Sequence, residues 1–152
     1  MSQPQPIIAV IGSGQCESSI YQLALEVGEE IAKRGAILIC GGLGGVMEAA
    51  AKGASLAGGI TVGILPGPSC SSANPYIKIP VATDMGQARN VIIAHTADGL
   101  VAVSGGAGTL SEIGHGLKIG KPIVGLRTIP NLRGVHYVDH SQDAIARIFE
   151  LI

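Results

Sequence analysis

The sequence predicts a Rossmann-like α/β fold: a doubly wound, mostly parallel sheet with helices on both faces. Three observations carry that expectation. Short apolar runs alternate with stretches whose apolar residues recur at helical spacing. Aromatic residues make up only 3% of the chain, so the core has to be aliphatic, which suits parallel strands covered on both faces. Glycine clusters follow three of the runs, at Gly12–Gly14, Gly41–Gly45 and Gly105–Gly108. The 152 residues suit one domain spanning 1–152.

Ile7–Ile11 reads as a buried strand ending in Gly12-Ser13-Gly14. Ile20, Leu23, Ala24, Val27 and Ile31 then mark a helix, capped by Ser18 or Ser19 and ended by Gly35. Ala36–Cys40 is a second strand, stopped by Gly41-Gly42. An Ala-rich helix over Gly45–Ala57 and a strand over Ile60–Leu65 complete a β-α-β-α-β run with right-handed crossovers.

Pro66–Pro75 is a long loop of the kind that often serves function. Tyr76–Val81 is a short strand. Asp84 is placed to cap a helix carrying Met85, Ala88, Ile92 and His95. Leu100–Val103 is a strand, and a helix over Gly108–Ile119 shows Leu110, Ile113 and Leu117 on one face. Gly120 fits its C-terminal cap. Ile123–Leu126 is a strand, Gly134–Val138 an edge strand, and Asp143–Ile152 a final helix with Ile145, Ile148 and Phe149 inward.

In an open parallel sheet, ligands bind beyond the carboxyl ends of the strands, near the point where strand order reverses. The three glycine loops belong to that end. Each precedes a helix, whose free N–H groups and dipole favour an anion. Together they describe a phosphate cradle formed by Gly12, Ser13, Gly14, Gly41, Gly42, Gly44, Gly45 and Met47, with Ser104, Gly105, Gly106, Ala107, Gly108 and Thr109. The first loop is not a full G-x-G-x-x-G, and Cys40-Gly41-Gly42 supplies no acidic group for a ribose, so a standard NAD site is not expected. No Gly-Lys-Ser or Gly-Lys-Thr marks a P-loop.

Thr109 and Glu112 lie three apart on one helix face. They could form a capping box. Alternatively, Glu112 stands beside the ligand's sugar, stabilising positive charge or positioning water. Arg89-Asn90 is a polar island in an apolar segment, and a guanidinium suits phosphate.

Composition excludes other classes. The net charge of −1 and the absence of a basic run argue against nucleic acid. No apolar stretch is long enough to span a bilayer, and the first six residues do not resemble a signal peptide. Cys16, Cys40 and Cys70 are an odd set without C-x-x-C spacing. They read as free thiols in a reducing compartment, hence the cytoplasm. The four His residues show no metal-ligand spacing, so no metal is expected. With 14% charged residues the surface is short of charge, as when a second subunit covers it. Close packing of another helix, such as one from that subunit, would account for Gly114 and Gly116 inside a helix.

The stretch Gly105-Gly106-Ala107-Gly108-Thr109-Leu110-Ser111-Glu112 resembles the P-G-G-x-G-T-x-x-E motif of the LOG-like proteins, once misannotated as lysine decarboxylases. Gly41-Gly42-Leu43-Gly44-Gly45-Val46-Met47 looks like their second glycine loop, and Arg89 matches their signature arginine. Asn90 stands where the phosphoribohydrolases have Lys, and Ser104 where they have Pro. In this the chain is more similar to the short branch that contains molybdenum cofactor carrier proteins.

The resemblance implies a homodimer or homotetramer that binds a phosphorylated small molecule, molybdenum cofactor or a nucleotide, with no further cofactor required. It implies a binding or carrier role. The alternative is a nucleoside 5′-monophosphate phosphoribohydrolase, in which Arg89 and Glu112 are catalytic: Arg89 grips phosphate or ribose, and Glu112 stabilises an oxocarbenium-like transition state.

Overall fold

The computed structural model describes residues 4–152. Seven strands form one sheet in the order β4-β3-β2-β1-β5-β6-β7, and every neighbouring pair is parallel. They are β1 (Ile7–Ile11), β2 (Ile37–Cys40), β3 (Thr61–Leu65), β4 (Ile79–Ala82), β5 (Gly99–Val103), β6 (Ile123–Leu126) and β7 (Val135–Val138). The helices are α1 (Ser18–Lys33), α2 (Val46–Leu56), α3 (Arg89–Thr96), α4 (Ala107–Lys118) and α5 (Ser141–Leu151). The expected Rossmann-like, doubly wound architecture is thus present.

Alternation along the strands separates two cores. Ile8 and Val10 of β1, Leu38 and Cys40 of β2 and Val101 and Val103 of β5 pack under α1, α2 and α5. Ala9, Ile11, Ile39, Leu100 and Ala102 face the other way, against Ile93 of α3 and Ile113 of α4. Burial of these aliphatic side chains, each worth roughly 1.5–3 kcal/mol for a Val, Leu or Ile, holds both layers to the sheet. The crossing of α1 and α2 is unusually close. A Cβ at Gly28 would collide with the Ala50 carbonyl, and one at Gly53 with the Leu25 carbonyl.

The sequence boundaries shift at several places. α1 begins after Glu17, and neither Ser18 nor Ser19 caps it; the Ser19 hydroxyl donates to Glu17 instead. β4 starts at Ile79 rather than Tyr76 because Thr61 Oγ1 holds the preceding turn, donating to Tyr76 O and accepting from Lys78 N. Asp84 does not cap α3. It has φ 53° and Gly86 has φ 60°, so the chain turns twice before the helix opens at Arg89. Leu110 is 42% exposed, unlike Ile113 on the same helix.

Gly35, Gly58 and Gly120 all have positive φ just past α1, α2 and α4. At the last, Gly120 N donates to Leu117 O and Lys121 N to Gly116 O, a Schellman cap. Gly116 is accounted for by the sheet itself, since a Cβ there would lie 3.0 Å from Ile123. Gly114 faces open space.

Candidate functional site

The chain runs outward from β1 to β4, then returns to place β5 against the other side of β1. From β1 it continues into α1 on one face, and from β5 into α4 on the other. The loops after the two strands therefore diverge and open a crevice. A cavity of about 330 Å³ lies there, lined by the first two glycine loops, the start of α3 and the start of α4.

Gly12, Ser13, Gly14, Gly41, Met47, Arg89, Asn90, Gly106, Ala107, Gly108, Thr109 and Glu112, all expected at the site, line this cavity. Gly42, Gly44, Gly45, Ser104 and Gly105 do not; they shape the loops from behind. A Cβ at Gly42 would press on Leu65, and one at Gly45 on Ser13 O and Gly14. The first two loops pack on each other, tied by Val46 N donating to Ser13 O at 3.0 Å. Ser104 has φ 53°, and its carbonyl accepts from Thr128 Oγ1 at 2.7 Å. Gly105 leaves room for Thr109, which is buried beneath it.

The third loop is the open one. A Cβ at Gly106 or Gly108 would meet nothing within 4 Å. α4 starts from Gly106 with no side-chain cap, so the Thr-x-x-Glu capping box, one of the two readings of this pair, is not formed. The first N–H groups of α4 are left to a ligand or solvent.

Arg89 is 4% exposed, and its guanidinium ties three elements together. Nε donates to Ile64 O at 2.8 Å and Nη2 to Gly41 O at 3.4 Å. Nη1 donates to Gln87 Oε1 at 3.3 Å and also to Asn90 Oδ1. Most of its five donors are therefore already engaged. A Cβ at Gly41 would sit 2.7 Å from both Arg89 Nη2 and Met47 Sδ, so glycine is what admits the guanidinium here. Burial pulls the Arg89 pKa down, opposed by the nearby Glu112 charge. Glu112 is half-buried in the cavity wall. Burial pushes its carboxyl up to about 7, with Arg89 pulling the other way. It is thus poised between neutral donor and anion near neutral pH.

Sequence reasoning missed Val10, Ile11, Leu43 and Gln87 in the lining. Gln87 belongs to Met85-Gly86-Gln87-Ala88-Arg89-Asn90, and its placement two residues before Arg89 was the available signal. The Pro66–Pro75 loop does not line the cavity. It braces the second glycine loop instead: Asn74 N donates to Gly42 O and Asn74 Nδ2 to Leu43 O, each at 2.9 Å.

Cys40 is a buried core residue, its thiol pushed up to about 11 by burial; Cys16 is half-buried and Cys70 exposed, all three free. Among the described residues, no group of three or more His, Cys, Asp or Glu is placed to hold a metal. Among them, too, no helix is long and apolar enough to cross a membrane.

The model of the SLOG cluster4 family matches residues 5–149. The chain belongs to this family. An uncharacterized protein of Archaeoglobus fulgidus is 48% identical over 138 residues, 91% of each chain. Among solved structures, the molybdenum cofactor binding protein of Rippkaea orientalis superposes with a TM-score of 0.93, at 33% identity over 99% of both chains. The molybdenum cofactor carrier protein of Chlamydomonas reinhardtii gives a TM-score of 0.91, at 39% identity over 97% of this chain and 98% of the other. The LOG-like resemblance is thereby placed in the SLOG cluster4 family.

Proposed function

We propose that this chain binds and carries a phosphorylated, nucleotide-like or pterin-like small molecule, with molybdenum cofactor as the specific cargo, as in the carrier branch of the LOG-like proteins. The observation that carries the reading is the open start of α4: Gly106, Ala107 and Gly108 border the cavity with no side-chain cap, as an anion site requires. The likeness to a binding protein and a carrier protein over nearly the whole chain supports the same reading. So does Arg89, whose donors hold Gly41 O and Ile64 O and leave little of the guanidinium for the phosphate or ribose that a hydrolase would have it grip.

The test is binding and turnover together. Pure protein is titrated with AMP, GMP and molybdenum cofactor, and released base and ribose 5-phosphate are followed by chromatography. Binding without release is expected. Base release that disappears in Glu112→Gln would establish the phosphoribohydrolase instead.

The expected homo-oligomer finds support on the α3–α4 side. Val91 is 41% and Leu110 42% exposed, and Gly114 faces open space. Sedimentation should give a dimer or tetramer, and Leu110→Lys should weaken it. A cytoplasmic location fits three free thiols, and fractionation of cells checks it.

A further inference from the structure

Two amide side chains, Gln87 and Asn90, line the cavity on either side of Arg89 in sequence. Gln87 lies in the turn Gly86–Ala88 that precedes α3, and Asn90 in the helix's first turn. Both amide oxygens accept from the same guanidinium nitrogen, Arg89 Nη1. A guanidinium has no acceptor, so an amide facing it must present its oxygen. Asn90 Nδ2 in turn approaches Gln87 Oε1 at 3.4 Å. The Gln87 Nε2 group makes no hydrogen bond to any described residue, and Gln87 is exposed on the cavity rim.

Arg89 is itself fixed by two backbone carbonyls, Ile64 O and Gly41 O. It cannot turn to follow the amides, so the amides must follow it. The Gln87 NH2 group, and the Asn90 N–H not turned toward Gln87 Oε1, are the ends left to face a ligand. The remaining polar groups at this wall are the N–H groups that open α4, again donors. Besides the hydroxyls of Ser13 and Thr109, which can donate as well as accept, Glu112 is the lining side chain there whose charged form only accepts.

We propose that Gln87 is a specificity-determining residue and Arg89 its positioning residue: the guanidinium locks the Gln87 and Asn90 amides so that the cavity offers hydrogen-bond donors to an acceptor-rich ligand edge. Phosphate oxygens and ring carbonyls both meet that description. The proposal rests on the reading that the cavity holds a phosphorylated small molecule. A ligand whose own donors face this wall is disfavoured, because it would cover the Gln87 NH2 with a group that cannot accept its hydrogen bond.

Calorimetric titration with ribose 5-phosphate and with GMP tests it, using wild type, Gln87→Met and Gln87→Glu. Losing one donor to a charged or strongly polar acceptor should weaken binding about ten- to a hundredfold. Equal loss for both probes assigns the contact to phosphate; loss for GMP alone assigns it to the ring carbonyl. Gln87→Glu keeps an oxygen for Arg89 but has no NH2. It also adds a negative charge facing the probes, so it should bind more weakly than Gln87→Met, and unchanged binding in that variant overturns the proposal.

In ¹⁵N-labelled wild type, the Gln87 side-chain NH2 signals should also shift on saturation with GMP. Binding by wild type with no such shift, or with Gln87→Met as tight as wild type, overturns this inference alone. No binding of either probe by wild type overturns both it and the reading it rests on.

Discussion

Gly108→Ala should separate folding from binding. Gly108 lies in the first turn of α4, its φ is not positive, and a Cβ there would meet no atom within 4 Å. Nothing in the fold resists the methyl group. Alanine is better than glycine in a helix by about 0.5–1 kcal/mol. For a domain of this length that corresponds to a rise in Tm of about 1–4 °C.

Gly108 also borders both the cavity and the neighbouring groove between α3 and α4. The space the methyl fills is the space a ligand would occupy beside the helix's free N–H groups. Keeping a phosphate from one such charge-assisted bond should weaken binding about tenfold to a hundredfold. Thermal melts and GMP titration on the same preparation read both effects. A fall in Tm would show that the glycine serves packing. Unchanged affinity with a raised Tm would show that the ligand does not use this end of α4.

Three further outcomes follow from the same geometry. Glu112 has its carboxyl raised to about 7, so the folded state holds a proton that the unfolded chain has released above its ordinary value near 4.5. Stability from this group is full below that ordinary value and falls as pH rises through 7. Glu112→Gln should therefore melt near wild type at pH 4 and above it at pH 8, and scans across that range check the sign. Gly41→Ala forces a methyl to 2.7 Å from Arg89 Nη2 and Met47 Sδ, and should cost about 1–3 kcal/mol together with most ligand affinity, measured by urea unfolding and titration. Gly28→Ala should be worse for folding, since the obstacle is the Ala50 backbone carbonyl and cannot swing aside; soluble yield and Tm should both drop sharply.

The parts of the fold legible in the sequence were those set by periodicity. Ile8, Val10, Leu38 and Val101 alternate with Ala9, Ile39 and Leu100 because each strand is covered on both faces, and such runs announce themselves. Helix ends marked by Gly35, Gly58 and Gly120 were legible for a similarly local reason, the positive φ of a C-terminal cap.

The start of α3 was not legible. Nothing local distinguishes Asp84 as a cap from Asp84 in a left-handed turn; the backbone bonds Asp84 N to Gly67 O and Gly86 N to Pro66 O decide it from a distant loop. The same holds within the site. The glycines could be recognised as a group, but which of them face the cavity depends on how the first two loops pack against each other. Ser104 illustrates the limit. Its position after β5 marks it as a loop residue, yet its φ of 53° is a turn that proline, held near about −65°, could not make.

Arg89 shows how the two levels join. A guanidinium at the mouth of a glycine-lined crevice suggests a phosphate clamp, and by charge alone it would be one. Its partners argue for a different use. By taking Ile64 O, Gly41 O and two amide oxygens, it stitches β3, the second glycine loop and the start of α3 into one rigid wall. Under the proposed function, anion recognition would fall to groups that need no side-chain charge: the N–H groups of α4 and the amides that Arg89 orients. Burial pushes the Glu112 carboxyl up to about 7, and the nearby Arg89, which makes no direct ion pair with it among the described residues, opposes that only in part. As pH rises through that value the cavity gains a negative charge facing the proposed anionic ligand, so affinity should fall, and Glu112→Gln should flatten the fall.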